Sequence, residues 1–435
     1  MTQAVATFQK AWHKFTQPVL SIGSILLISS ALFSTPSHAE TEPSFTAQQQ
    51  QEFQIWLQDF SKRAMAEGIS KATLDKAFTN IQLSNKILQM DRKQPEFTRT
   101  FFEYLSRAVS KTRIENGREN HVQNMKLLKA VEDRYGVPSA YLVAFWGMET
   151  NYGGYTGYDP IIQSLATLAF DPRRSEFFSK ELIAALTILD RGDVSLSDMQ
   201  GSWAGAMGQV QFMPTNYLRY AVDGDGDGKV NLWTSTADAL FSAGNFLNQL
   251  GWQRGQEWGL EVKLPKGFDL SLADNKTKRS INEWQELNIK TTENQTLRNA
   301  INPAIQDAIL VLPSDYRGPT FLVFDNFKVI KRWNNSTNYA IGVGYLADQI
   351  RYKAQLTKGQ PADDKGLNRN QVIEIQSLLN ELGFSVGKAD GIAGGMTRSG
   401  LRAFQKSISI PADGYPSVRM LNYLRSALKQ SNNDS

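Results

Sequence analysis

Glu149 stands where the surrounding pattern asks for an apolar side chain. After Pro138, Leu142, Phe145 and Trp146 mark the apolar stripe of a helix, and the stripe's next position, seven residues beyond Leu142, is Glu149. Burial beside aromatic rings disfavours an ionised carboxylate and raises its pKa, as a general acid working near neutral pH requires. A helix break at Gly153-Gly154 would leave Glu149 near the C-terminal end, where the helix dipole also opposes negative charge. A structural glutamate in an ion pair fits the same pattern, so position alone leaves both readings open.

Two further segments carry candidate chemistry. Gly201 to Pro214 (GSWAGAMGQVQFMP) is rich in small residues, with polar groups at Ser202, Gln209 and Gln211. Such a stretch either lets a ligand approach the backbone or forms a tight-packing turn. Asp223, Asp225 and Asp227, followed by Gly228, Lys229, Val230 and Asn231, reproduce the first nine positions of an EF-hand loop. The pattern predicts Ca2+ held by the three acids and the Lys229 carbonyl. Thr234 replaces the closing glutamate at position 12, so Asp238 is the candidate to complete the shell.

Other chemistries are excluded by composition. The chain has no cysteine, hence no disulfide framework, thiol nucleophile or lipidated N-terminal cysteine. Lys10, His13 and Lys14, the apolar run Val19 to Phe33 and the small-x-small site Ser37-His38-Ala39 predict a cleaved secretory signal over residues 1–39. Its removal takes two of three histidines, leaving His121, and so argues against Ser-His-Asp catalysis and a histidine zinc site. It also leaves 45 cations against 43 acids, too even a balance for a nucleic-acid footprint.

The elements that must position these groups are mainly helical. Phe53, Trp56, Leu57 and Phe60 fall on one helical face in a region of helical pattern over 46–135, and Gly136 and Pro138 separate one helix from the next. Leu260 to Leu264, Ala308 to Leu312 and Thr320 to Phe324 read as short strands of a small sheet, after which helical spacing returns at Ala340, Val343, Leu346, Ala347 and Ile350. Residues 358–366 (KGQPADDKG) read as an interdomain linker. Residues 367–430 then alternate helical stretches with turns at Asp390-Gly391 and Asp413-Gly414, a unit too small to suggest a second active site.

The stretches YGVPSAYLVAFWGMETNYG (135–153), SLATLAFDPRRSEFFSKEL (164–182), GSWAGAMGQVQFMPTNYLRYAVDGDGDGKVNLW (201–233) and NNSTNYAIGVGYLAD (334–348) resemble, in order, the lytic murein transglycosylase B family. The resemblance implies an α+β fold: a lysozyme-like helical catalytic domain over 40–357 with a small β-rich subdomain, binding calcium in an EF-hand-like loop. It implies cleavage of peptidoglycan between N-acetylmuramic acid and N-acetylglucosamine, with Glu149 as the acid/base. Substrate contacts then fall on Tyr104, Arg173, Arg174, Ser202, Gln211, Asn334 and Tyr339, and calcium ligands on Asp223, Asp225, Asp227, Lys229 and Asp238. Trp333 and Phe246 depart from tyrosines found in family members, each removing a hydroxyl; Trp333 is still expected to stack on a sugar face. The tail, with Asp390 to Thr397 (DGIAGGMT), resembles a three-helix peptidoglycan-binding domain, so glycan strands are the expected partner and adhesion its expected role.

Ordinary glycosidases need two carboxylates about the bond, and no second acid accompanies Glu149; Asp159 and Asp171 each precede a proline and read as turn formers. By resemblance the leaving oxygen takes the proton of Glu149, the muramyl N-acetyl group assists, and the C6 hydroxyl closes onto C1. The competing expectations are a muramidase leaving reducing ends and a non-catalytic wall-binding scaffold. Export implies a periplasmic protein without a lipid anchor, with wall-synthesis proteins as possible partners.

Overall fold

The computed structural model describes residues 45–92, 99–352 and 355–433, so the expected signal segment lies outside the described residues. Helices dominate, as expected. The first, Ala47–Ala66, starts from a Thr46 capping box and buries Phe53, Leu57 and Phe60, with Trp56 stacked on Phe53 at 5.9 Å. Among the described residues no helix is long and apolar enough to cross a membrane.

Gly136, in the left-handed region at φ 75°, ends the helix Met125–Tyr135, and Ser139–Thr150 begins after Pro138. This second helix differs from its reading as amphipathic: every residue from Ala140 to Gly147 is buried. Lys111–Gln123, Met125–Tyr135, Thr236–Gln249 and Thr337–Tyr352 pack around it, so it is the axis of the helical body rather than its wall.

The β-rich subdomain is a five-stranded antiparallel sheet in the order Lys278–Ser280, Asp307–Val311, Thr320–Val323, Gly259–Lys263, Lys290–Thr291. Leu310 pairs with Leu322, and Leu322 with Leu260, fixing the central register. The three strands expected from sequence are present within one residue; the two short edge strands carry no comparable β-rich run. Trp284, Ile281, Leu297 and Leu310 fill a separate core beneath the sheet.

The C-terminal unit comprises Arg369–Glu381, Gly395–Ser407 and Val418–Asn433 around Ile375, Leu379, Leu401, Phe404 and Leu424. It repeats one device. Gln376 accepts the Gly391 N–H and donates to Asp390; Gln405 accepts the Gly414 N–H and donates to Asp413. A buried glutamine thus clamps each Asp-Gly turn.

The unit does not hang on a free tether. Arg317 bridges Asp315 and Asp363, the Tyr415 hydroxyl donates to the buried Asp364, the Tyr316 N–H donates to Asp413, and Arg402 donates to the Ala273 carbonyl. Thr357 likewise donates to Glu261. Within residues 358–366, Asp363 is held by Arg317 of the β-rich subdomain and Asp364 by Tyr415 of the C-terminal unit.

Candidate active site

The helix carrying Glu149 stops two residues earlier than its glycines suggest. Asn151 and Tyr152 already lie in the left-handed region with Gly153, at φ 51°, 63° and 78°. Asn151 caps the helix, as the short amide side chain permits. Thr150 secures the exit, donating to the Gln209 carbonyl at 2.6 Å and accepting the Gly153 N–H at 3.0 Å.

Glu149 Oε1 accepts the Trp333 indole N–H at 2.9 Å and the Tyr339 hydroxyl. Burial pushes the acid up to about 7, and the two donors pull the other way without cancelling it. Tyr339 is itself held far above the usual phenol range by burial and by the carboxylate it faces, so it stays a donor. Both bonds fall on one oxygen; Oε2 receives none from the described residues and remains for a ligand. No neighbouring carboxylate contributes to the shift on Glu149. Asp159 pairs with Lys86 and Asp171 with Arg92, so neither supplies a second acid.

Trp333 is also a hydrogen-bond donor to the acid. Its ring is wedged among Phe145, Phe212 and Phe246, with centroids at 4.6, 5.5 and 5.1 Å, and its N–H points at the acid. Tyr104 lies beside Gly342 and disfavours ionisation of Tyr339, which places it in the same cluster.

The remaining expected contacts divide. Gln211, left-handed at φ 50°, donates to the Thr156 carbonyl at 2.8 Å, and the Ser202 hydroxyl accepts the Ala206 N–H at 3.0 Å, so both shape the loops beside the acid. Gly157 allows those loops to touch: a Cβ there would sit 2.1 Å from the Gly201 carbonyl oxygen. Arg173 and Arg174 both bind Asp91, a carboxylate only 4% exposed, which answers one of their two charges. Arg174 and the exposed Asn334 nevertheless line a groove of about 950 Å³ whose other wall is Leu367, Val372, Arg398 and Tyr415 of the C-terminal unit.

Sequence reasoning undervalued Gln209. Only 5% exposed, it accepts the Trp146 indole N–H at 3.0 Å, while its backbone takes the Thr150 hydroxyl and donates to the Leu232 carbonyl. It ties the acid's helix to the end of the aspartate-rich loop. Its polarity within an apolar run was the available hint.

In that loop the carboxylate oxygens of Asp223, Asp225 and Asp227 lie within 4.8 Å of one another. Hard oxygen donors at this spacing suit a divalent cation such as Ca2+. Lys229 follows directly, its N–H donating to Asp227. Asp238 is buried and accepts the N–H groups of Gly224 and Asn231, one on each oxygen, and so staples the loop's two ends.

Residues 52–348 match the model of the transglycosylase SLT domain, and residues 368–424 that of a peptidoglycan binding domain. The chain is 35% identical over 254 residues to the membrane-bound lytic murein transglycosylase B of Escherichia coli, covering 57% of this chain and 66% of that protein, just under two thirds. It is similar in structure to SltB3 of Pseudomonas aeruginosa in complex with NAG-anhNAM-pentapeptide, with 44% identity, TM-score 0.82, and coverage of 86% of this chain and 99% of the other. The Escherichia coli lytic transglycosylase SLT35 in complex with calcium aligns at 31% identity, TM-score 0.57, over 68% of this chain and 92% of its own.

Proposed function

Since the chain belongs to the transglycosylase SLT domain family, we propose that it is a lytic transglycosylase that cleaves the β-1,4 bond between N-acetylmuramic acid and N-acetylglucosamine in peptidoglycan. The observation that carries the proposal is the isolated acid: Glu149, raised to about 7, with two donors on one oxygen and no partner carboxylate. An acid of that pKa can hold a proton for the leaving oxygen and, once ionised, take one back. In the proposed reaction Glu149 protonates the glycosidic oxygen, the C1–O bond breaks with help from the muramyl N-acetyl group, and the C6 hydroxyl attacks C1 as Glu149 recovers its proton. The product is a 1,6-anhydro sugar, and the attack has the proximity advantage of an intramolecular step.

Further parts of the reading rest on the same base. The expected export of the chain places this activity in the periplasm. Tyr104, Ser202, Gln211, Asn334 and Arg174 line or shape the path of the strand, with Tyr339 and Trp333 orienting the acid. Asp223, Asp225, Asp227, the Lys229 carbonyl and Asp238 would hold calcium, whose contribution is to stiffen the loop joined to Gln209. Residues 367–430 form a wall-binding unit docked on a catalytic domain spanning 40–357.

Mass spectrometry of digested sacculi tests the proposal. The expected muropeptides are lighter by one water than muramidase products and lack a reducing end. Reducing ends would make the enzyme a hydrolase, and no fragments a scaffold.

A further inference from the structure

Tyr155 and Tyr158 are among the most exposed large hydrophobic side chains of the described residues, at 61% and 71%. Their rings meet edge to face, with centroids 5.3 Å apart and an interplanar angle of 81°. Single exposed apolar residues need no explanation, and Ile55, Val122 and Phe177 are of that kind, each on the outside of a helix. This pair differs in three respects. It is a contiguous aromatic surface, it lies on the loop leaving the helix of Glu149, and its backbone is fixed at both ends.

The fixing can be followed bond by bond. The Tyr155 N–H donates to the Thr150 carbonyl at 2.9 Å, the Thr156 carbonyl accepts the Gln211 side chain, and Gly157 lies against Gly201 and Ser202. Asp159 then pairs with Gly201 across a two-residue ladder. The loop is rigid without burying its tyrosines, so their exposure is not a by-product of packing. Rigid tyrosines offer large contact area at small entropic cost on binding.

Resting on the lytic transglycosylase reading, we propose that Tyr155 and Tyr158 form a stacking subsite for a pyranose of the glycan strand, beyond the two sugars that flank the cleaved bond. The C–H face of a pyranose packs on a tyrosine ring, and the phenol hydroxyl can reach the ring substituents. Gln211 and Ser202 connect this platform to the site: the residues that shape the loops beside the acid also hold the tyrosines in place. Such a subsite discriminates by length, favouring strands long enough to span from the acid to the pair.

The test measures binding of a disaccharide and a hexasaccharide of alternating N-acetylglucosamine and N-acetylmuramic acid by calorimetry, with full-length protein carrying Glu149→Gln. Adding Tyr155→Ala and Tyr158→Ala should weaken the hexasaccharide about 3- to 10-fold and leave the disaccharide unchanged. Tyr155→Phe with Tyr158→Phe should restore affinity, since the ring faces remain. In the active enzyme the alanine pair should raise KM on long strands more than it lowers kcat, with unaltered circular dichroism; Tyr158→Ala alone serves if the double variant misfolds. Equal hexasaccharide affinity with and without the tyrosines, an equal loss for both ligands, or no rescue by phenylalanine would overturn the platform while wild-type cleavage still stood. If the wild type cleaved no sacculi, the enzymatic reading and the platform would fall together.

Discussion

The Trp333 indole N–H lies 2.9 Å from Glu149 Oε1 across 184 residues of sequence, and the Tyr339 hydroxyl converges on the same oxygen. Both bonds favour the ionised acid and so lower a pKa that burial has raised. Trp333→Phe keeps the ring among its aromatic neighbours and removes the donor, and Tyr339→Phe does the same. Each should shift the alkaline limb of the activity profile to higher pH and cut cleavage about 10-fold, the scale of one hydrogen bond to a charged group. A limb that stayed in place in both variants would mean the donors do not act on the acid.

Glu149→Gln keeps the side chain's size and removes its transferable proton, so cleavage should fall at least ~100-fold. Stability should respond in the opposite sense. The acid ordinarily titrates near 4.5 and here near 7, so the folded state binds the proton more tightly than the unfolded chain. The stabilisation is full below 4.5 and lost as pH rises to 7. The amide never ionises, so the variant's Tm relative to wild type should rise between those values and level off above. A difference independent of pH would argue that Glu149 titrates normally.

Calcium should raise the Tm of the wild type, because a ligand bound only by the folded state stabilises it by RT ln(1 + [L]/Kd). Asp225→Ala with Asp227→Ala should abolish that response. Identical melting curves in calcium and in chelator would remove the site.

Gln209→Leu should leave the buried Trp146 indole N–H unpartnered, a cost of about 1–3 kcal/mol. Thermal melting should show the loss, and cleavage should fall with it because the helix of Glu149 loses its tie to the aspartate loop. An unchanged Tm would show that another acceptor replaces the amide.

Arg317→Ala removes the bridge between Asp315 and Asp363. Asp315 is buried and would lose its forked partner, so proteolysis within 358–366 should accelerate and the radius of gyration should increase in solution scattering. A protease-resistant variant with unchanged scattering would mean that the other contacts suffice to hold the unit.

The parts legible in the sequence were those written in local chemistry. The αL stop at Gly136, the Phe53 to Phe60 face, the three main strands and the DxDxDG turn all declare themselves within a few residues. Glu149 stood out for the same reason, as a polar residue at an apolar position. The relationships that complete the site span long separations: Trp333 to Glu149, Gln209 to Trp146, Arg173 and Arg174 to Asp91. Side-chain type alone could not say which arginines meet a buried aspartate, nor that a tryptophan donates to an acid.

The two glutamine-clamped turns of the C-terminal unit have unequal obligations. Asp390 is exposed and answers to its own turn, whereas Asp413 is buried and also accepts a bond from Tyr316. The first copy of the motif can therefore change with local compensation, while a change in the second must be matched on another domain. Transplanted to a different enzyme, the unit would keep its own core but expose Asp413 and lose its orientation. What looks like an interchangeable cassette is, through one of its two turns, fitted to a particular host.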